Sequence, residues 1–161
     1  MAQDPSDDAR WMWRAIDKAR SGIAAGQTPF GACIVRAGQA IACEHNVVWA
    51  TTDITAHAEV QAIRAACRAL GTIDLSGSTI YSTCEPCPMC FAAIHWARIG
   101  RIVYGAAISD AQAAGFNELA IPSERLKQLG DSHVQIAAGI LRDECAALFE
   151  RWLSDPRRRA Y

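Results

Sequence analysis

The chain has 161 residues, of which 51% are hydrophobic and 20% charged, a balance typical of a single globular domain over residues 1–161. Its formal net charge of −1 gives no reason to expect a nucleic-acid partner. The longest uncharged run, residues 21–35, is too short to cross a bilayer, and the first residues do not resemble a signal peptide. We therefore expect a cytoplasmic protein without a membrane segment.

The apolar pattern predicts helices and strands in alternation. A first helix is indicated by four apolar residues at helical spacing: Met12, Ile16, Ala19 and Ile23. A hairpin is predicted over residues 32–36 and 39–45. Further helices are predicted over residues 56–70, 86–98 and 123–129, and further strands over residues 78–83, 101–106 and 133–137. A closing helix carries four apolar residues on one face: Leu141, Cys145, Leu148 and Trp152.

This order of elements indicates an α/β layered fold with a mixed sheet. A helix-bearing connection lies between the last two predicted strands, so we expect those strands to be parallel. No internal repeat or linker divides the chain.

Two short motifs carry the chemistry. His57 and Glu59 lie in one of them, and Cys87 and Cys90 lie in the other. One imidazole and two thiolates are the ligands of a catalytic Zn²⁺ ion that keeps its fourth position for water, and Glu59 is left as a base beside it. This pattern is the signature of zinc-dependent nucleobase deaminases.

The spacing of these residues restricts their placement. Cys87 and Cys90 are three positions apart and project from the same side of a helix. His57 and Glu59 are about 200° apart around a regular helix, so they can meet one ion only from its first turn. Thr55 is suited to cap that helix, and Pro86 suits the first turn of the other. Two helix N-termini would then converge on the metal.

Other cysteines and histidines have simpler explanations. Cys84 could be a fourth ligand of a closed structural site, but it ends a predicted strand and would leave Glu59 without a task. We expect structural roles for three isolated histidines: His45, His95 and His133. Four cysteines lie among apolar residues and are expected to be core thiols: Cys33, Cys43, Cys67 and Cys145. The odd total of seven cysteines disfavours a disulfide framework.

The residues 55–60 and 84–90 resemble the cytidine-deaminase superfamily, in its branch of bacterial guanine deaminases and tRNA adenosine deaminases. The run Pro29-Phe30-Gly31-Ala32 and Asn46 also match that branch. The resemblance implies a three-layer α/β/α sandwich with a roughly five-stranded sheet, and a homodimer. In the guanine-deaminase family a C-terminal segment, here about residues 141–161, is exchanged between protomers and closes the partner's pocket.

The segment Ala114-Gly115-Phe116-Asn117-Glu118 resembles the guanine-deaminase version of the fold. The resemblance implies seven substrate-binding residues: Phe30, Asn46, Ala58 through its main chain, Trp96, Phe116, Glu118 and a lid residue, Tyr161. Trp96 could instead pack in the core, and Glu118 could be a surface charge. Asn117 departs from the family, which commonly has a second acidic residue there.

We therefore expect a zinc enzyme that converts guanine and water into xanthine and ammonia, with Glu59 carrying the proton. The alternatives are deamination of adenosine in tRNA, or of cytosine, a pterin or an aminotriazine. A non-catalytic zinc-stabilised binding module is the alternative from another class.

Overall fold

The structure is a computed structural model that describes residues 5–161. Its helices are α1 (Pro5–Ala24), α2 (Val48–Thr51), α3 (Ala58–Leu70), α4 (Pro88–Trp96), α5 (Ile108–Ala113), α6 (Ser123–Leu129) and α7 (Arg142–Leu153). Its strands are β1 (Gly31–Arg36), β2 (Gln39–His45), β3 (Ser78–Cys84), β4 (Arg101–Ala106) and β5 (Gln135–Ala137). Within this part of the chain, no helix combines the length and hydrophobicity needed to span a membrane.

The strands form a single mixed sheet in the order β2-β1-β3-β4-β5. Strand β1 is antiparallel to β2 and to β3, whereas β3, β4 and β5 are mutually parallel. The α/β class and the parallel last pair predicted from the sequence are confirmed. Every residue of β3 is buried, so the strand that leads into the second motif lies at the centre of the sheet.

Helices cover both faces of the sheet because side chains alternate along each strand. One face presents Cys33, Val35, Tyr81 and Val103 to the apolar sides of α1 and α7. The other presents Ala32, Ile34, Ile80 and Ile102 to α3 and α4. The molecule is thus the expected three-layer α/β/α sandwich, with the helices of both motifs on the same face.

Gly31 lets α1 approach the sheet closely. A Cβ atom at this position would collide with the backbone of Ala15 and Ala19, so only glycine fits here. The start of α1 is tied down by Asp8, which accepts hydrogen bonds from both terminal nitrogens of Arg101 at 2.7 Å and from the hydroxyl of Tyr81 at 2.9 Å.

Two cysteines differ from expectation. Cys33 and Cys43 lie directly opposite each other on β1 and β2 and form a disulfide, so the prediction that both are core thiols is wrong. The cause is the strand register, which places their Cα atoms 4.0 Å apart. Cys67 and Cys145 are free thiols, as expected.

The closing segment packs on its own chain. Helix α7 contacts β4 and α1, and its inward face includes Cys145, Leu148 and Trp152. The exchange of residues 141–161 between protomers stays a prediction.

Candidate active site

Both motifs begin helices that meet beside the carboxyl end of β3. His57 is the residue that immediately precedes α3, and Ala58 and Glu59 form the first turn of that helix. Cys87 immediately precedes α4, and Cys90 lies in the first turn of α4. The positive ends of two helix dipoles therefore converge on these side chains and favour thiolates there.

Two details of the predicted helix starts are wrong. Thr55 does not cap α3, because its hydroxyl donates a 2.6 Å hydrogen bond to Asp53 and His57 occupies the capping position. Helix α4 begins at Pro88 rather than at Pro86. Proline is favoured as the first helical residue, and the motif contains two prolines. The sequence alone therefore does not determine which of them begins the helix.

The three predicted metal ligands form one cluster. His57 Nδ1 lies 3.6 Å from the Cys87 Sγ atom and 3.5 Å from the Cys90 Sγ atom. The three donor atoms lie within 4.8 Å of one another, and among residues 5–161 no other His, Cys, Asp or Glu joins this group. One imidazole and two thiols at this separation fit a tetrahedral zinc ion with one position left open.

Cys84 is not part of the cluster. Its thiol donates a hydrogen bond to the main-chain oxygen of Ala107 at 3.5 Å, and burial raises its pKa well above the ordinary value. A buried neutral thiol of this kind is not a ready ligand. A closed four-ligand site is therefore not supported.

The charge state of the cluster is set by its own contacts. A hydrogen bond from the Cys90 thiol lowers the pKa of Cys87 to about 4, with further stabilisation from His57 that outweighs burial. The Cys87 thiolate in turn raises the pKa of Cys90. Burial lowers the pKa of His57, but the hydrogen bond to Cys87 and the charges of Glu59 and Cys87 raise it by more, so that the pKa lies above its ordinary value. The cluster thus holds one thiolate beside a protonable imidazole.

Glu59 is a buried carboxylate held in one orientation. The Ser82 hydroxyl donates a 2.9 Å hydrogen bond to its Oε1 atom, and the Cys90 thiol lies 3.5 Å from its Oε2 atom. Burial raises the pKa of Glu59, and the negative charge of Cys87 adds to the effect. A carboxyl group with a raised pKa can both accept and return a proton near neutral pH.

A cavity of about 260 Å³ opens above the cluster. His57 and Cys87 lie on its floor, with Phe116, Glu118 and Tyr161 around it. A narrower inner part reaches Phe30, Glu59 and Cys84. The mouth carries three exposed apolar residues: Ile54, Met89 and Leu119.

The C-terminal tyrosine closes one side of this cavity. Its hydroxyl accepts a 2.6 Å hydrogen bond from Asn46 Nδ2, and its main-chain oxygen accepts one from the Asn117 N–H group at 2.9 Å. The Tyr161 ring lies 5.5 Å from the His57 ring and 5.4 Å from the Phe116 ring, measured between centroids. Burial raises the pKa of Tyr161, which keeps the phenol protonated.

Glu118 lies on the cavity wall rather than at the surface. Burial raises its pKa to about 7, and the negative charge of Cys87 contributes. The positive charge of a bound cation would act in the opposite direction and favour the ionised carboxylate.

The structure brings four of the seven predicted substrate contacts to the cavity: Phe30, Phe116, Glu118 and Tyr161. Ala58 and Asn46 are buried and are not among the residues that line it, although Asn46 is hydrogen-bonded to Tyr161. Trp96 ends α4 with 83% of its surface exposed, beside Ile73 on a different part of the surface. Within one protomer it therefore does not reach the cavity.

Several site residues were not predicted from the sequence. Ser82 lies inside a strand that reads simply as buried, and its partner Glu59 is 23 positions away. Ile54, Met89 and Leu119 are ordinary apolar residues, and no local pattern marks them as the rim of a pocket.

A three-layer sandwich with a His-Cys-Cys cluster and a buried carboxylate beside an apolar cavity defines a class of protein, the zinc-dependent aminohydrolases. Comparison with known proteins agrees, because the cytidine and deoxycytidylate deaminase zinc-binding region matches residues 5–106. The chain belongs to this deaminase family.

Individual relatives have two different activities. Over 149 residues the chain is 40% identical to the guanine deaminase of Bacillus subtilis (strain 168), covering 92% of this chain and 95% of that protein. It is 32% identical over 154 residues to the tRNA-specific adenosine deaminase of the same organism, covering 96% and 93%. The structure of guanine deaminase from Nitrosomonas europaea superposes with a TM-score of 0.84 at 30% identity, covering 91% of this chain and 85% of that chain.

Proposed function

We propose that this enzyme deaminates guanine to xanthine and ammonia, and that Glu118 selects the base. The supporting observation is the Glu118 carboxylate beside the donor cluster, on the wall of a cavity whose lining is mostly apolar. Guanine presents a ring N–H next to its amino group, and an ionised carboxylate can only accept hydrogen bonds. Phe30, Phe116 and Tyr161 provide aromatic surfaces for a flat purine.

His57, Cys87 and Cys90 are the proposed ligands of zinc. The bound ion would make water acidic enough to lose a proton near neutral pH. Glu59 accepts that proton and passes it to the ring nitrogen next to the amine-bearing carbon as the hydroxide adds to that carbon. Glu59 then takes the proton of the added hydroxyl and delivers it to the amine as the C–N bond breaks, which leaves a carbonyl group and releases ammonia. Ser82 holds the carboxylate for both transfers, and the Ala58 main chain and Asn46 orient the base.

Deamination of adenosine in tRNA is the second candidate, because a tRNA deaminase is also a relative over nearly the full chain. Binding an RNA backbone requires basic side chains near the reacting base. The exposed rim residues Ile54, Met89 and Leu119 are apolar, and the net charge of the chain is −1. In the basic run that precedes Tyr161, Arg157 is paired with Asp155 and Arg159 is stacked on Trp49. These observations favour a small free base over tRNA.

The direct test is ammonia release from guanine, adenine, cytosine, a pterin and an aminotriazine, with inosine formation in tRNA measured in parallel. We expect guanine to give the highest kcat/KM. The variant Glu118→Gln should lose about ten- to a hundredfold in kcat/KM on guanine, because a hydrogen bond to a charged group is removed. The exposed Glu124→Gln is the matched control. Inosine formation in tRNA without turnover of guanine would overturn the proposal.

The proposal includes a homodimer that forms on α4. This helix has no Asp, Glu, Lys or Arg, and its exposed side carries Met89, Ala92, His95 and Trp96. A helix without a polar face usually packs against another surface. Met89 also borders the cavity, so a second copy on α4 would cover part of its mouth. A cytoplasmic location remains part of the proposal, because a reducing compartment keeps Cys87 and Cys90 available to the metal. The Cys33–Cys43 disulfide is an observation against it, since such bonds are rare in the cytosol.

A further inference from the structure

The end of the chain is attached to α2 by a pair of residues that the proposed chemistry does not use. The guanidinium of Arg159 lies over the Trp49 ring, 4.2 Å from its centroid. The Trp49 Nε1–H group donates a 2.9 Å hydrogen bond to the main-chain oxygen of Arg159. A single indole therefore holds both the side chain and the backbone of a residue two positions before Tyr161.

The hydrogen bonds between α7 and Arg159 are local to this segment. Asp155 accepts a 2.9 Å hydrogen bond from the Arg157 N–H group, and its main-chain oxygen accepts one from the Arg158 N–H group at 3.1 Å. These bonds shape a turn within the segment. The exposed ion pair between Arg157 and Asp155 adds little, since water screens it.

Helix α2 is in turn linked to the wall of the cavity. The Oδ1 atom of Asn46 accepts a 3.0 Å hydrogen bond from the Val48 N–H group at the start of α2. The Nδ2 atom of the same Asn46 donates to the Tyr161 hydroxyl. Helix α2, which carries Trp49, and the Tyr161 ring, which closes the cavity, are therefore both hydrogen-bonded to Asn46.

We propose that Trp49 is a positioning residue that acts through Arg159 to place the Tyr161 ring over the bound substrate. Trp49 does not line the cavity, so its effect on the substrate is indirect. This inference rests on the proposed function for its kinetic consequences. The attachment itself can be measured without any substrate.

Kinetics test the effect on substrate. Loss of the ring contact and the hydrogen bond in Trp49→Ala should raise KM for guanine about tenfold and change kcat by less than about threefold. Trp49→Phe keeps an aromatic face without the N–H group and should give an intermediate KM. The control is Trp13→Ala, which removes a surface tryptophan that also stacks with an arginine, Arg20, and should leave KM unchanged.

The same substitution in a chain that lacks Tyr161 separates positioning from folding. If Trp49 acts through Tyr161, Trp49→Ala should cause no further rise in KM there. A similar rise in both backgrounds would overturn the positioning role, as would an unchanged KM in the full chain.

A second readout does not depend on the deaminase activity. Trypsin, which cuts after arginine, should release the residues that follow Arg159 from Trp49→Ala several-fold faster than from the unchanged chain, and at the unchanged rate from Trp13→Ala. Equal rates in all three proteins would overturn the attachment, whichever base the enzyme uses. Faster release together with no turnover of guanine would support the attachment and contradict the proposed function.

Discussion

The carboxyl group of Glu59 has one hydroxyl partner, Ser82, in addition to its contact with the Cys90 thiol. Ser82 is buried in β3 and donates to Oε1 of Glu59, while α3 fixes the other end of the glutamate side chain. Proton transfer requires the carboxylate to lie within hydrogen-bond distance of both the water and the base. We therefore expect Ser82 to support catalysis through Glu59 without touching the substrate.

Removal of this hydroxyl should affect rate more than metal binding. We expect Ser82→Ala to lower kcat about tenfold, because a misplaced general base loses much of its advantage. Zinc content, measured by elemental analysis, should stay at the unchanged level, since Ser82 contacts no proposed ligand. Ser76→Ala, in an exposed loop, is the control. An unaltered kcat would mean that α3 alone orients Glu59.

For single residues, the sequence identifies the side chains of unusual chemistry but not the side chains that hold them in position. His57, Glu59, Cys87 and Cys90 lie in short motifs with a spacing that few other functions require. Ser82 and Trp49 have no such signal, because their partners are far away in the sequence: Trp49 contacts Arg159 across 110 positions. Only the folded chain shows these contacts.

Among the elements, α1 is attached to the sheet by a buried ion pair. The side chain of Asp8 is 5% exposed and that of Arg101 is 22% exposed, and Arg101 binds both oxygens of the carboxylate. Burial opposes ionisation, but hydrogen bonds from Arg101 and Tyr81, together with the charge of Arg101, hold the pKa of Asp8 below its ordinary value.

This pair predicts a defined loss of stability. Asp8→Asn should lower the free energy of unfolding by about 3 kcal/mol at pH 7, because it removes the charge of Asp8 from a partly buried guanidinium. Since the pKa of Asp8 is depressed on folding, its contribution is full above about pH 4 and declines as the pH falls further. Urea unfolding should therefore show the two proteins converging at low pH. A constant difference down to pH 2 would contradict this account.

Long periodic elements are the part of the architecture that the sequence predicts well. The apolar stripes predicted for α1 and α7 match their buried faces, and the last two strands are parallel as predicted. In α3 the buried face is instead formed by Ala58, Ala62 and Ala66, and Leu70, at the end of the predicted stripe, is exposed. The short helices α2 and α5 were not predicted, since four to six residues carry too little periodicity to be distinguished from a loop. The first of these carries Trp49, so the missed element is one with a proposed role.

At the scale of the whole molecule, the end of α4 presents an exposed apolar surface. Trp96 and Ile73 are each 83% exposed and lie side by side, an arrangement typical of an interaction surface. If a second copy covers this surface, a charge at its centre should weaken the dimer.

The variant Trp96→Lys tests this arrangement. We expect its dimer dissociation constant to rise at least about tenfold, because a buried aromatic anchor is replaced by a charge. Sedimentation velocity over a concentration series measures this, with Trp13→Lys on α1 as the control. Unchanged association in Trp96→Lys would exclude α4 as the interface.

The central claim is that Glu59, beside zinc held by His57, Cys87 and Cys90, deaminates guanine. The most direct measurement is xanthine and ammonia formed per guanine consumed, with zinc content determined in the same samples of wild type and Glu59→Gln. We expect equal amounts of both products and one zinc per wild-type chain, and a loss of at least about a thousandfold in kcat for the variant at unchanged zinc content. Comparable turnover by zinc-loaded Glu59→Gln, or the absence of xanthine from the wild-type reaction, would contradict the account.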